Sequence, residues 1–161
     1  MRLFLCLLIA IGMAGCRSKQ ASQMPPTELV DLKAKDGTRV YAYLSQAKDS
    51  KGIILLFHQA DSSAEEYAPI IPRLNSYGWT CLAVDLRAGG SMYGTNRTVE
   101  AIGRIGDYLS AYQDLEAAVE YAAIGKYKQV VAWGSSYSAS LAAKLASEHK
   151  EVAKVVAFSP G

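Results

Sequence analysis

The sequence predicts an α/β domain: a mainly parallel sheet with helices on both faces, opening with a β-hairpin. Three observations carry this. Apolar runs at 52–57 and 79–86 show no polar alternation, as expected of strands covered on both sides. Segments with helical spacing separate these runs from two later ones, at 129–133 and 152–158. The alternation that results calls for right-handed crossovers, with ligands bound at the carboxyl ends of the strands.

The elements follow in chain order. Segments 30–35 and 38–44 flank Asp36-Gly37, a two-residue link able to supply the positive φ of a tight hairpin. After the strand at 52–57, Ser63 stands three residues before Glu66 in a capping-box spacing. Tyr67, Ile70, Ile71 and Leu74 then recur at helical intervals until Gly78, with Pro69 and Pro72 making the helix irregular. The strand at 79–86 leads into a polar, glycine-rich stretch from 87 to about 106 without periodicity. From 107 to about 123, Leu109, Tyr112, Leu115, Val119 and Ala122 share one helical face, leaving Asp114, Glu116 and Glu120 largely elsewhere. A strand at 129–133, an alanine-rich helix from 137 to about 150 and a strand at 152–158 complete the domain, which is expected to occupy 28–161.

Half of the residues are hydrophobic, as a cored globular domain requires, and 161 residues suit one domain. Seventeen basic and fifteen acidic residues leave a charge of +2 with no cluster along the chain, so no nucleic-acid partner is expected. The beginning is different. Arg2 precedes an apolar run from Leu3 to Ala14 that is too short to span a bilayer as an ordinary helix and has the form of a signal-peptide core. Its end, Met13-Ala14-Gly15-Cys16, resembles the bacterial lipobox. The resemblance implies a signal peptide over 1–15 and lipidation of Cys16, with residence in the bacterial cell envelope; an ordinary signal peptide containing a cysteine is the alternative. Residues 16–27 have the composition of a flexible tether. With Cys6 in the signal and Cys16 lipidated, Cys81 is left as a single thiol, and its apolar neighbours make it a small buried hydrophobe rather than a reactive group.

Between the strand at 129–133 and the next helix stands Gly134-Ser135-Ser136-Tyr137-Ser138. It resembles the G-x-S-x-G nucleophile elbow of the α/β-hydrolase superfamily, with Ser138 in place of the last glycine. A polar helix cap would use the same residue types. Two further segments share the resemblance. His58-Gln59-Ala60 follows the strand at 52–57 where the superfamily carries a His-Gly oxyanion loop, and Asp85-Leu86-Arg87-Ala88-Gly89-Gly90 is similar to the Asp-x-Arg-Gly-x-Gly segment of lysophospholipase-like and dienelactone-hydrolase-like members. The resemblance implies Ser136 as nucleophile, the backbone N–H groups of Tyr137 and Ala60 as oxyanion donors, Gly134 and Ser138 as the small residues of the elbow, and structural roles for Asp85 and Arg87. It calls for no metal or cofactor.

The superfamily's triad runs Ser, Asp or Glu, then His, with the last two on later loops, and this sequence stops at Gly161. Of its two histidines, His149 falls at the far end of the helix after Ser136, on the order of 20 Å away. His58 lies near the site, where the superfamily's histidine supports the oxyanion loop. The sequence therefore suggests a membrane-tethered serine hydrolase of carboxylic esters or related acyl compounds, represented by its N-terminal part, with acyl transfer as an equivalent use of the same serine. The alternative is a non-catalytic, hydrolase-like lipoprotein that binds a ligand or partner.

Overall fold

The computed structural model describes residues 24–160, so the expected signal peptide, Cys16 and residues 17–23 of the tether lie outside the described residues. Six strands form one mixed sheet in the order β1-β2-β4-β3-β5-β6. These are β1 (Glu28–Lys33), β2 (Arg39–Ser45), β3 (Gly52–Phe57), β4 (Trp79–Val84), β5 (Val130–Ser135) and β6 (Val152–Phe158). Strands β3 to β6 are mutually parallel, while β2 runs antiparallel to both β1 and β4. The expected hairpin is present, but the link between its strands is longer than two residues. Lys33 pairs with Arg39, and the turn closes through Gly37 N–H to Ala34 O and Ala34 N–H to Thr38 O.

The unbroken apolar composition of β3 has the predicted consequence, since all six of its residues are buried. Its pleat divides the core in two. Ile53, Leu55 and Phe57 face a cluster completed by α3 (Tyr112–Ile124) and α4 (Tyr137–Glu148), through Leu115, Ala118, Ala122, Ala142 and Leu145. Ile54 and Leu56 face the other side, where Tyr67 and Ile71 cover the sheet. Helices thus lie on both faces.

Three local expectations are revised. The helix foreseen from Ser63 to Gly78 is a 3-10 turn at Ala64–Tyr67 followed by α1 (Ile71–Ser76), with Pro72 in its first turn. Ser63 does not cap it: its hydroxyl is buried without a partner, and the Ala64 N–H donates instead to Asp85 Oδ1 at 2.8 Å. The stretch after residue 87 contains α2 (Arg97–Ile102), capped by the Asn96 side chain and ended by Gly103 at φ 70°. Its first turn starts from Asn96 and its end from a glycine, the signals that sequence periodicity over six residues is too short to register. Finally, α3 begins at Tyr112. Leu109 therefore precedes the helix and is 81% exposed, whereas Asp114 is fully buried because Arg87 is buried against it.

Candidate active site

All four parallel strands point their carboxyl ends to one rim, and Ser136 sits there between β5 and α4. Its backbone adopts φ 56° and ψ −127°, a combination that L residues rarely occupy and that persists only where the surroundings enforce it. The enforcing contacts are identifiable. Ser136 N–H donates to Phe158 O at 2.9 Å, fixing the turn to β6. Gly134 lies so close to α4 that a Cβ there would stand 2.3 Å from Ser138 O. Ser138 is fully buried, and its Oγ accepts the Ser135 N–H at 2.9 Å while lying 2.7 Å from Phe57 O and 2.9 Å from Ser135 O. A hydroxyl where the superfamily has glycine thus ties the elbow to β3.

The residues expected from sequence as donors, Ala60 and Tyr137, both lie at this rim. Phe57 pairs with Gly134, which places the loop His58-Gln59-Ala60 beside the elbow. Gln59 N–H is taken by Glu66 Oε2 at 3.0 Å, fixing the loop ahead of Ala60. Tyr137 opens α4, and a first-turn N–H has no partner within its own helix. The Tyr137 ring stacks on Tyr108 with centroids 4.3 Å apart, and its hydroxyl is buried without a hydrogen bond. Burial holds that phenol neutral, well above its ordinary range.

His58 is committed to structure. Its Nε2 accepts the Leu86 N–H at 2.9 Å, so Nδ1 carries the proton and donates to Gln59 O at 2.7 Å. Complete burial pulls the imidazole down to about 4, keeping it neutral. His149 follows α4 at its far end, 3.5 Å from Glu116. Twelve helical residues separate it from Ser136, about 18 Å of rise. The two histidines are therefore held away from the Ser136 hydroxyl, one by its bonds and one by distance.

Asp85 and Arg87 brace the rim from beneath. Asp85 accepts N–H bonds from Ala64 and Arg97, each below 3 Å, joining the loop after β3 to α2. Burial nevertheless pushes its carboxyl up to about 6. Arg87 is sandwiched between Asp36 and Asp114, its Nε donating to Asp114 Oδ1 at 2.9 Å. The guanidinium holds Asp36 well below the usual carboxylate range, and burial raises Asp114. Gly89 belongs to the same brace, because a Cβ would come within 2.3 Å of Asn96 Nδ2 and 2.5 Å of His58 Cε1. Sequence reasoning missed Asn96 and Asp114. The signal for Asn96 was its capping position, whereas nothing local marked Asp114 as buried. Cys81 is buried, with its thiol pushed up to about 12. Among the described residues no group of His, Cys, Asp and Glu is placed to hold a metal ion.

A family model described as serine aminopeptidase, S33, matches residues 48–161. The chain belongs to this family. The α/β-hydrolase fold is shared with solved structures. An esterase from Pyrococcus furiosus is 28% identical, with a TM-score of 0.66 over 84% of this chain and 49% of its own. GrgF, an α/β hydrolase from Penicillium sp. sh18, is 22% identical, with a TM-score of 0.70 over 84% and 46%. A thermostable carboxyl esterase from Bacillus coagulans is 17% identical, with a TM-score of 0.67 over 82% and 44%. No curated protein matches. This S33-family chain spans about half the length of the first of these structures. Its α/β-hydrolase core carries the elbow, the loop after β3 and the Asp85–Arg87 brace in the order read from sequence.

Proposed function

We propose that this chain supplies the nucleophile and oxyanion portion of a serine hydrolase acting on carboxylic esters. It is anchored through Cys16 to a bacterial envelope membrane outside the cytoplasm, the outer membrane facing the periplasm where the cell has two membranes and otherwise the extracellular face of the cell membrane. The observation that carries the reading is the strained backbone of Ser136 at the β5–α4 junction, since strain of this kind needs a purpose that a helix cap does not give it. The Ser136 hydroxyl attacks the ester carbonyl, and the N–H groups of Tyr137 and Ala60 receive the oxyanion that forms. Collapse of this intermediate expels the alcohol and leaves an acyl-serine, which water resolves to acid. Taking up the serine proton is work for an imidazole, contributed by a part of the protein beyond these residues, because His58 and His149 are held elsewhere.

Esters with apolar acyl groups suit the surroundings. Tyr108, stacked on Tyr137, and Phe158, stacked on Trp133 and bonded through its carbonyl to Ser136, are each 51% exposed. The resemblance to an esterase at 28% identity supports the same class. A non-catalytic binder is the second reading, favoured by the commitment of His58 to structural bonds. A fluorophosphonate probe applied to the protein as isolated from cells, followed by peptide mapping, decides between them. Labelling at Ser136 that is lost in Ser136→Ala is the expected result. Labelling at Ser135 instead overturns the choice of nucleophile, and no labelling in a protein that melts cooperatively sinks the hydrolase reading. Intact mass of the same sample reports whether Cys16 carries lipid.

A further inference from the structure

The fold gathers lysines that are scattered in sequence onto the face opposite Ser136. Lys51 immediately precedes β3, Lys128 precedes β5 and Lys150 precedes β6, while Lys48 lies in the β2–β3 connection and Lys126 at the end of α3. All five are exposed, and none has a carboxylate within ion-pairing distance among the described residues. Asp49, Glu151 and Glu28 are exposed acids at the same end, with Glu120 one turn back along α3, so the lysines outnumber the acids by one. Two large apolar side chains stand exposed at the same end, Ile124 at 81% and Tyr77 at 55%. A groove of about 490 Å³ beside Tyr77 is lined by Lys48, Asp49, Lys51, Asn75 and Tyr77 among others.

The chain enters at this end as well. Glu28 begins β1 opposite Leu44, near the close of β2, which runs antiparallel to β4. Cys16 is eight residues before Met24, a reach of at most about 29 Å when fully extended. Ser136, in contrast, stands beyond the other end of β5, about 20 Å along the strand.

We infer that the lysine-bearing face, with Tyr77 and Ile124, docks on the anionic phospholipid headgroups of the membrane that holds Cys16, so that Ser136 faces away from the bilayer. The inference rests on the lipid anchor proposed above. A short tether keeps this face within a few tens of ångströms of the surface, where each lysine strengthens binding to anionic lipid roughly fivefold. Amphipathic side chains such as Tyr77 suit the headgroup layer.

Trp79 and Trp133, the two tryptophans, mark the two ends of the sheet and provide the test. The full protein is reconstituted into phosphatidylcholine vesicles, with and without phosphatidylglycerol, containing brominated lipid as quencher. Trp79 is read in Trp133→Phe and Trp133 in Trp79→Phe. Several-fold stronger quenching of Trp79 is expected, dependent on phosphatidylglycerol and lost at 1 M salt, where screening acts over about 3 Å. The triple variant Lys48→Gln/Lys51→Gln/Lys128→Gln lowers affinity about 100-fold by the same per-lysine factor and brings Trp79 to its level on neutral vesicles. The salt titration needs no variant and stands if the triple variant fails to fold. Equal quenching of both tryptophans, indifference to phosphatidylglycerol, or preferential capture by duplex DNA overturns the docking face. Mass spectrometry of the same preparation separates the two readings. An unlipidated Cys16 with salt-sensitive quenching of Trp79 removes the anchor and keeps the face; a lipidated Cys16 with equal quenching does the reverse.

Discussion

His58 is read most sharply at the scale of one residue. Its imidazole, fully buried between the Leu86 N–H and the Gln59 carbonyl, stays neutral to about pH 4 in the folded chain. Unfolded, it titrates near 6.5. Stability from this group is therefore intact above pH 6.5 and falls as pH drops toward 4, by about 3 kcal/mol in all. Asp85 acts in the opposite sense. Its folded carboxyl titrates at about 6 against 3.8 unfolded, so the folded state gains stability as pH falls through that window, again by about 3 kcal/mol. The two contributions offset each other between pH 6 and 4. Titration of the histidine C2 protons by NMR should give His58 a midpoint near 4, and a midpoint in the ordinary imidazole range would contradict the acceptor role of its Nε2.

The elbow between β5 and α4 is an element-scale construction. Its strained serine is held by two contacts, the Ser136 N–H to Phe158 and the Ser138 hydroxyl bridging Ser135 and Phe57. Ser138→Ala removes the partner of the part-buried Ser135 N–H, and a donor left unsatisfied costs at most about 1–3 kcal/mol. Denaturant unfolding should register that loss; a variant as stable as the parent would show that the hydroxyl is incidental. Gly89→Ala acts on the neighbouring loop. With a Cβ within 2.5 Å of Asn96, Ser62 and His58, overpacking of about 1–3 kcal/mol is expected from the same measurement. Because that Cβ pushes on His58, the variant should also move the His58 midpoint, which Ser138→Ala should leave in place.

For the whole molecule, two properties follow from how strands and histidines are distributed. Strand β6 pairs with β5 on one side, and its other side is an edge among the described residues, with Ala157 and Phe158 exposed. An uncovered apolar edge is a template for another chain. The 161-residue chain should therefore associate with rising concentration, and Ala157→Lys should weaken this; light scattering that is flat for both would refute it. Activity follows the same logic. A positioned general base contributes typically 10²- to 10⁴-fold, and neither imidazole reaches Ser136. The 161-residue chain should thus turn over a p-nitrophenyl ester more slowly, by a factor of that order, than a version extended through the downstream reading frame. Equal rates would return His58 to consideration as the base.

The sequence by itself determined the α/β class, the order of the strands and the candidate serine. Burial on both faces leaves an unbroken apolar run such as 52–57, and a strand-to-helix turn needs small residues at 134 and 138 whatever surrounds them. It was blind where a residue's role depends on what arrives from far along the chain. Asp114 reads as a solvated helix position until Arg87 is laid against it, and Ser63 reads as a cap until the Asp85 carboxylate takes the Ala64 N–H. The lysines of the far face read as scattered because three separate connections, those leading into β3, β5 and β6, must come to one end of a parallel sheet before their charges add. Tertiary structure decided these points because burial and charge clustering are properties of packing, which no local pattern encodes.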